Sequence, residues 1–298
     1  MKENGFSYKF TYMVLSLLGR LPLSLLYAIL GPVRFLAYNI VGYRKKVVRK
    51  NLSAAFPEKS AEELRKIEKD FYRHLFDIIA ETVKLIKISD AELSRRVTVT
   101  NPEVVNQYLS QNIPVVLMLG HLGNWEWIPE ISVMMPRGVI MGEVYKRLHD
   151  PGWGNLMYQI RNRWKNVEQV EQKKVLRTIL GWKSKETWIV GFIADQRPNN
   201  EYNPHLINFF GRRVQAMVGP EVIGKKTGAK FIYLDIEKPK RGHYRLTYKE
   251  IESDPQSETS EYPLTERFYE MLQQSITRNP SIWLWSHNRW KNSSPSSV

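Results

Sequence analysis

A chain of 298 residues, 43% hydrophobic and 25% charged, is long enough to bury a sizeable core as one domain, and that composition excludes a disordered or fibrous protein. It has no cysteine, which excludes a disulfide scaffold, a thiolate zinc site, an iron–sulfur cluster and a cysteine nucleophile, and fits a reducing compartment. Lys and Arg number 44 against 30 Asp and Glu, and the net charge of +14 points to an anionic partner: nucleic acid, anionic lipid or an acidic protein.

More than half of that excess lies in residues 1–56, which hold nine Lys or Arg and a single acid, Glu3. There the charges are interleaved with apolar residues. From Phe10 to Tyr43 only Arg20 and Arg34 are charged, and the longest uncharged run, Leu21–Val33, is 13 residues with two prolines. A simple spanning helix wants about 18 clean apolar residues, so the segment predicts a helix–Pro–helix element that lies in or dips into a bilayer, with Arg20 and Arg34 reaching the headgroups. No small-residue cleavage site follows an isolated apolar core, so a secretory signal fits poorly. The cluster Arg44-Lys45-Lys46-Val47-Val48-Arg49-Lys50 suits an anionic leaflet. The alternative is a buried helical hairpin of a soluble protein with a solvated basic turn.

Ser60-Ala61-Glu62-Glu63 is a capping-box pattern opening a long amphipathic helix to about Lys87, with Leu64, Ile67, Phe71, Leu75, Ile78 and Val83 near a 3.6-residue period. Elements then alternate. Strands are expected at Val97–Thr100, Pro114–Leu119, Val139–Tyr145, Thr187–Ile193, Phe231–Ile236 and Tyr244–Ile251. Helices are expected at Pro102–Leu109, Asn124–Met134, Trp153–Trp164, Lys173–Trp182, Ala216–Thr227 and Leu264–Arg278. The pattern is that of an α/β protein with a sheet at least partly parallel. Residues 1–56 are read as a membrane-associating segment, 57–290 as the α/β domain and 291–298 as a disordered tail.

The chain has no G-x-S-x-G elbow, no H-E-x-x-H pattern and no G-x-G-x-x-G loop. Gly219-Pro220-Glu221-Val222-Ile223-Gly224-Lys225-Lys226 imitates a phosphate-binding loop, but Lys226 stands where a hydroxyl should meet magnesium and no apolar strand directly precedes it. The informative stretch is Leu117-Met118-Leu119-Gly120-His121-Leu122-Gly123-Asn124-Trp125-Glu126-Trp127. It sets a histidine at the carboxyl end of a buried strand, where ligands bind in α/β sheets. With Glu126 in the first turn of the next helix, its carboxylate is expected to fold back on the imidazole, fixing the tautomer of a general base. His74, His149, His205, His243 and His287 lack such a setting and are read as structural or surface residues.

The H-x4-E pattern resembles the H-x4-D/E motif of glycerolipid acyltransferases. More closely, the chain resembles the bacterial lipid A biosynthesis late acyltransferases, the lauroyl/myristoyl transferase family. The likeness runs from about residue 12 to Lys291. It takes in Asn51-Leu52-Ser53-Ala54-Ala55-Phe56-Pro57, His121–Glu126, Val144-Tyr145 leading to Arg161, Ala194-Asp195-Gln196, Phe209-Phe210-Gly211 and Trp283–Lys291. The resemblance implies a mixed sheet flanked by helices, a catalytic pair on His121 and Glu126, and substrate contacts at Arg161 and Asp195. Two places depart from the family: Tyr145-Lys146-Arg147 stands for Tyr-Arg-Pro, and Val218 for the usual threonine before Gly-Pro.

It implies acyl transfer from an acyl carrier protein thioester to a hydroxyl of a lipid A precursor at the cytoplasmic face of the inner membrane. The carrier is a co-substrate, and neither metal nor cofactor is called for. Backbone N–H groups at Gly123 and Asn124 are the expected oxyanion donors, with Arg161 contributing. Asn124, Lys146 and Arg147 are further substrate-binding candidates, and Arg163 and Lys165 extend the cationic surface. Asp195 otherwise reads as a turn cap, and Trp283, Trp285 and Trp290 either as a membrane-facing rim or as core. A second reading acylates a different lipid hydroxyl, of an amino-acid lipid or a pigment precursor. A non-catalytic nucleic-acid or membrane binder rests on charge and aromatics alone; no nucleic-acid motif is present.

Overall fold

The computed structural model describes residues 6–147, 150–182, 187–198, 205–253, 260–291 and 294–295. Helices α1 (Phe6–Arg20) and α2 (Leu23–Phe35) are broken apart at Leu21-Pro22, as the proline placement predicts, and α2 runs on into a short π-helix, Leu36–Val41. Together Leu23–Val41 form 19 helical residues, long and apolar enough by length and composition to cross a bilayer. Both helices also lean on α4 (Ala61–Leu85), burying Tyr8, Leu23 and Leu26 while leaving Phe10, Leu17, Ile29, Phe35, Ile40 and Val41 exposed. The basic run forms α3 (Lys45–Ala55), which packs Val48, Asn51 and Leu52 inward.

The capping box closes at α4 as expected: Glu63 N–H donates to Ser60 Oγ at 3.3 Å and Ser60 N–H to Glu63 Oε2 at 2.8 Å. After α5 (Asp90–Arg96) come β1 (Val97–Val99), α6 (Glu103–Ser110), β2 (Val115–Leu119), β3 (Ile140–Tyr145), α7 (Pro151–Arg161) and β4 (Val167–Glu171). The chain continues through α8 (Val175–Gly181), β5 (Trp188–Ile193), β6 (Leu206–Asn208), β7 (Arg212–Gln215), α9 (Gly219–Thr227), β8 (Lys230–Lys240), β9 (His243–Glu250), α10 (Pro263–Arg278) and β10 (Ser294–Pro295).

Seven strands form a mixed sheet in the order β1-β9-β8-β2-β5-β3-β4, flanked by helices. The run β8-β2-β5-β3-β4 is parallel throughout, and β9 reverses beside β8. Every residue of β2 is buried, which is why that strand reads as an unbroken apolar run rather than an alternation.

Three expectations differ from the structure. Residues Trp125–Met134 form a 3-10 rather than an α-helix: Pro129 lacks the N–H that an α-helical turn would need there. Strand β4, an edge strand with two glutamates, and the small antiparallel sheet β10-β7-β6, whose strands have two to four residues, have no counterpart in the sequence reading, because such short stretches leave no clear periodic pattern. The tail expected to be disordered contributes β10, with Ser294 and Pro295 opposite Arg213 and Arg212. Residues 292–293 and 296–298 lie outside the described residues. Trp283, Trp285 and Trp290 are buried in an aromatic cluster with Phe209, so they belong to the core and not to a rim.

Candidate active site

Parallel pairing of β2 with β5 builds the site. Leu119 lies opposite Ile193, and the Ala194 N–H donates to the Leu119 carbonyl at 2.9 Å. Two residues further on, His121 and Asp195 leave the sheet side by side. His121 Nδ1 stands 2.6 Å from Asp195 Oδ1, the His121 backbone N–H donates to Asp195 Oδ2 at 2.9 Å, and Trp283 Nε1 donates to the same oxygen at 2.7 Å. Burial pushes the Asp195 carboxyl up, but the imidazole, the His121 N–H and the Trp283 N–H outweigh it and hold it at about 2. An ionised Asp195 accepts the Nδ1 proton, which leaves the lone pair of His121 on Nε2. Gln196 Nε2 lies 3.2 Å from that nitrogen, and Trp125 meets the ring edge-on at a centroid distance of 5.0 Å.

The glycines of the turn have steric reasons. A Cβ on Gly120 would come within 2.6 Å of Leu272 on α10. Gly123 has φ +58, and a Cβ there would meet Ile236 at 2.7 Å.

Glu126 does not reach the imidazole. Among the described residues the carboxylate bound to His121 is that of Asp195, and Glu126 is held bidentate by Arg161, Nε to Oε2 at 2.8 Å and an Nη2 bond to Oε1 at 2.7 Å. The reason is directional: Glu126 is buried in the first turn of the 3-10 helix, facing α7, whereas Asp195 arrives along the neighbouring strand. Arg161 also approaches Glu143 Oε1 at 3.8 Å. Burial works against its charge, yet Glu126 and Glu143 more than offset this and hold the guanidinium pKa above its usual value.

The expected oxyanion donor Gly123 N–H is already spent on the Ile282 carbonyl, at 3.0 Å. Asn124 is buried beneath the turn: its Oδ1 accepts the Glu126 N–H and its Nδ2 donates to Glu81 Oε2 at 2.7 Å. Glu81 also accepts from Tyr27 on α2 and Tyr244 on β9, so one carboxylate ties the N-terminal helices, the sheet and the histidine turn together. Arg163 turns away, donating to the Leu85 and Ile88 carbonyls and pairing with Asp90, and Lys165 is exposed.

Beside His121 opens a cavity of about 940 Å³. Its interior is apolar, lined by Ile128, Pro129, Met141, Met157, Phe192 and Ile223 among others. His121, Glu143, Arg161, Gln196 and His287 supply its polar wall, and Lys146, Arg147 and Arg197 add cations. The volume is at the upper end for small-molecule sites, about 300–1,000 Å³.

Of the histidines read as structural, His74 is buried with Nε2 3.2 Å from the Gly123 carbonyl, and His205 pairs with Glu266. His287, by contrast, lines the cavity; His149 lies outside the described residues. The sequence reading also passed over Glu81, Glu143 and Gln196. A signal for the first was present: His74, Asp77, Glu81 and Lys84 recur at helical spacing on the buried face of α4, where a soluble helix would carry apolar residues.

An imidazole oriented by a buried aspartate at the edge of a large apolar cavity is chemically able to take a proton from a group bound there. The chain matches the family model described as bacterial lipid A biosynthesis acyltransferase over residues 6–292, and it belongs to that family. It is therefore an acyltransferase. It is 25% identical over 254 residues to the lipid A biosynthesis palmitoleoyltransferase of Escherichia coli (strain K12), covering 83% of this chain and 79% of that protein. A lipid A biosynthesis acyltransferase of Shigella flexneri is similar to the same extent.

Proposed function

We propose that this protein moves a fatty acyl chain from an acyl carrier protein thioester to a hydroxyl of a lipid A precursor, working at the cytoplasmic face of the inner membrane. The observation that carries the reading is the His121–Asp195 pair at the polar wall of the apolar cavity. The acceptor hydroxyl gives its proton to His121 Nε2, while Asp195 stabilises the imidazolium through Nδ1–H. The alkoxide attacks the thioester carbonyl, and the tetrahedral oxyanion collapses by expelling the thiolate, which takes the proton back from His121. Every proton is accounted for by one residue.

Glu126 supports the reaction at one remove. By gripping Arg161 it fixes a cation in the cavity wall, suited to a phosphate or to developing oxyanion charge. Lys146, Arg147 and Arg197 suit an acidic carrier and a phosphorylated lipid. Each methylene of the acyl chain buried in the cavity contributes about 0.8 kcal/mol. The exposed apolar faces of α1 and α2, followed by the basic turn into α3, support seating on an anionic bilayer with the cavity near its surface.

The test is transfer in vitro from acyl carrier thioesters to defined lipid A precursors, with lipids resolved by mass. Wild type is expected to add one acyl chain and His121→Ala to add none while remaining folded. Retained transfer in that variant removes the base. An unchanged lipid A acylation pattern in cells lacking the protein removes the acceptor.

A further inference from the structure

We infer that His287 is a catalytic residue of this site, its imidazole donating an Nε2–H hydrogen bond to the thioester carbonyl oxygen as negative charge gathers there. The inference rests on the acyl-transfer reading above and assigns a neutral oxyanion donor in place of the Gly123 N–H.

The C-terminal segment is laced onto the catalytic turn. Leu122 bridges Trp283, the Gly123 N–H donates to the Ile282 carbonyl at 3.0 Å, and the Leu284 N–H donates to the His121 carbonyl at 3.1 Å. The chain then folds back, with the His287 N–H on the Leu284 carbonyl at 3.2 Å, and this brings the His287 ring to the cavity that His121 also lines. The His287 carbonyl is clamped by Asn51 Nδ2 at 2.7 Å and by the Arg289 N–H at 2.9 Å, so the ring is carried on a fixed backbone.

Its Nε2 is buried and has no hydrogen-bond partner among the described residues. A buried polar atom left unpaired is destabilising, a penalty that a substrate oxygen at this nitrogen would remove. Burial pushes the imidazole down to about 4; Asp195 opposes this, while His121, Arg289 and Arg44 push it further down. The ring is therefore neutral at neutral pH. A neutral imidazole keeps an N–H to donate and does not repel the imidazolium that forms on His121, a combination known from enzymes that polarise a carbonyl with uncharged histidine. No bond to His287 is made or broken: the hydroxyl proton goes to His121 and then to the leaving thiolate.

One of the expected donors, the Gly123 N–H, is occupied by the Ile282 carbonyl, and His287 takes its place. Donors of this kind contribute about 10²–10³-fold in kcat.

The experiment compares His287→Gln with His287→Met in the full-length protein, two side chains of similar length of which only one keeps an N–H. Transfer from an acyl carrier thioester to a lipid A precursor is measured as kcat and KM separately. The methionine variant is expected to lose about 10²-fold or more in kcat with KM changed less than about threefold, and the glutamine variant to recover at least about tenfold of that loss. Equal kcat in the two variants overturns the inference, as does a loss confined to KM. His121→Ala, run alongside, separates the two levels. If wild type transfers no acyl chain, the acyl-transfer reading itself fails; if wild type transfers and His121→Ala is inactive while His287→Met keeps wild-type kcat, this inference alone fails.

Discussion

In the proposed reaction the chemistry turns on Asp195. Replacing it with Asn keeps the shape but offers Nδ1 of His121 no charge, and kcat is expected to fall about 10³–10⁴-fold with the fold intact, measured in the same transfer assay. The same carboxyl predicts an acid limb of stability. Its value of about 2 in the folded protein lies below the ordinary 3.8 of an aspartate, so the stabilisation is complete above pH 4 and is lost as pH falls through 2. The size is about 2 kcal/mol, and urea titrations between pH 2 and 5 should show it in wild type but not in Asp195→Asn. Glu143 behaves in the opposite sense. Burial pushes it up to about 7, opposed by Arg161 and aided by Glu126. Its ionisation therefore weakens the fold as pH rises from 4.5 through 7, by up to about 3 kcal/mol. Glu143→Gln should raise the melting temperature at pH 8 and leave it nearly unchanged at pH 4.5.

At the scale of elements, the site depends on how the turn after β2 is held from below and behind. Asn51, on α3, donates to the Trp285 and His287 carbonyls at 2.8 and 2.7 Å. Asn51→Ala leaves both acceptors short of a donor and should cost about 1–3 kcal/mol, read as a lower urea midpoint with unchanged slope. Gly123→Ala forces a Cβ into left-handed backbone and against Ile236, and is expected to cost more than Asn51→Ala and to lower kcat by displacing His121. These contacts bring separated stretches of sequence together. Asn51-Leu52-Ser53 and the Trp-Leu-Trp-Ser-His run are two sides of one clamp, although 234 residues part Asn51 from Trp285.

For the whole molecule, charge and apolar surface act together. Ile40 and Val41 are 69% and 75% exposed at the end of the π-helix that follows α2, two residues before the Arg44–Lys50 cluster. Replacing Phe35, Leu36, Ile40 and Val41 with Ser should release the protein from vesicles containing anionic lipid while leaving its thermal midpoint unchanged, since those side chains cover no core. Binding of the wild type to such vesicles should weaken with salt, because charges near the surface are screened over about 10 Å at 0.1 M. Flotation on sucrose gradients measures both.

Much of this protein could be read from local pattern. The break at Leu21-Pro22, the capping box at Ser60, the buried run of β2 and the histidine at its end follow from proline geometry, hydrogen-bonding side chains and burial on both sheet faces, all of which leave marks within a few residues. The partner of His121 left no such mark. Glu126 is five positions away and Asp195 is 74, yet pairing of β2 with β5 sets Asp195 beside the imidazole, while the 3-10 helix turns Glu126 toward Arg161. The aspartate's register, the commitment of the Gly123 N–H and the return of His287 to the cavity depend on contacts between distant strands and loops. Only the folded sheet could decide them, because local sequence constrains dihedral angles and not which strand becomes a neighbour.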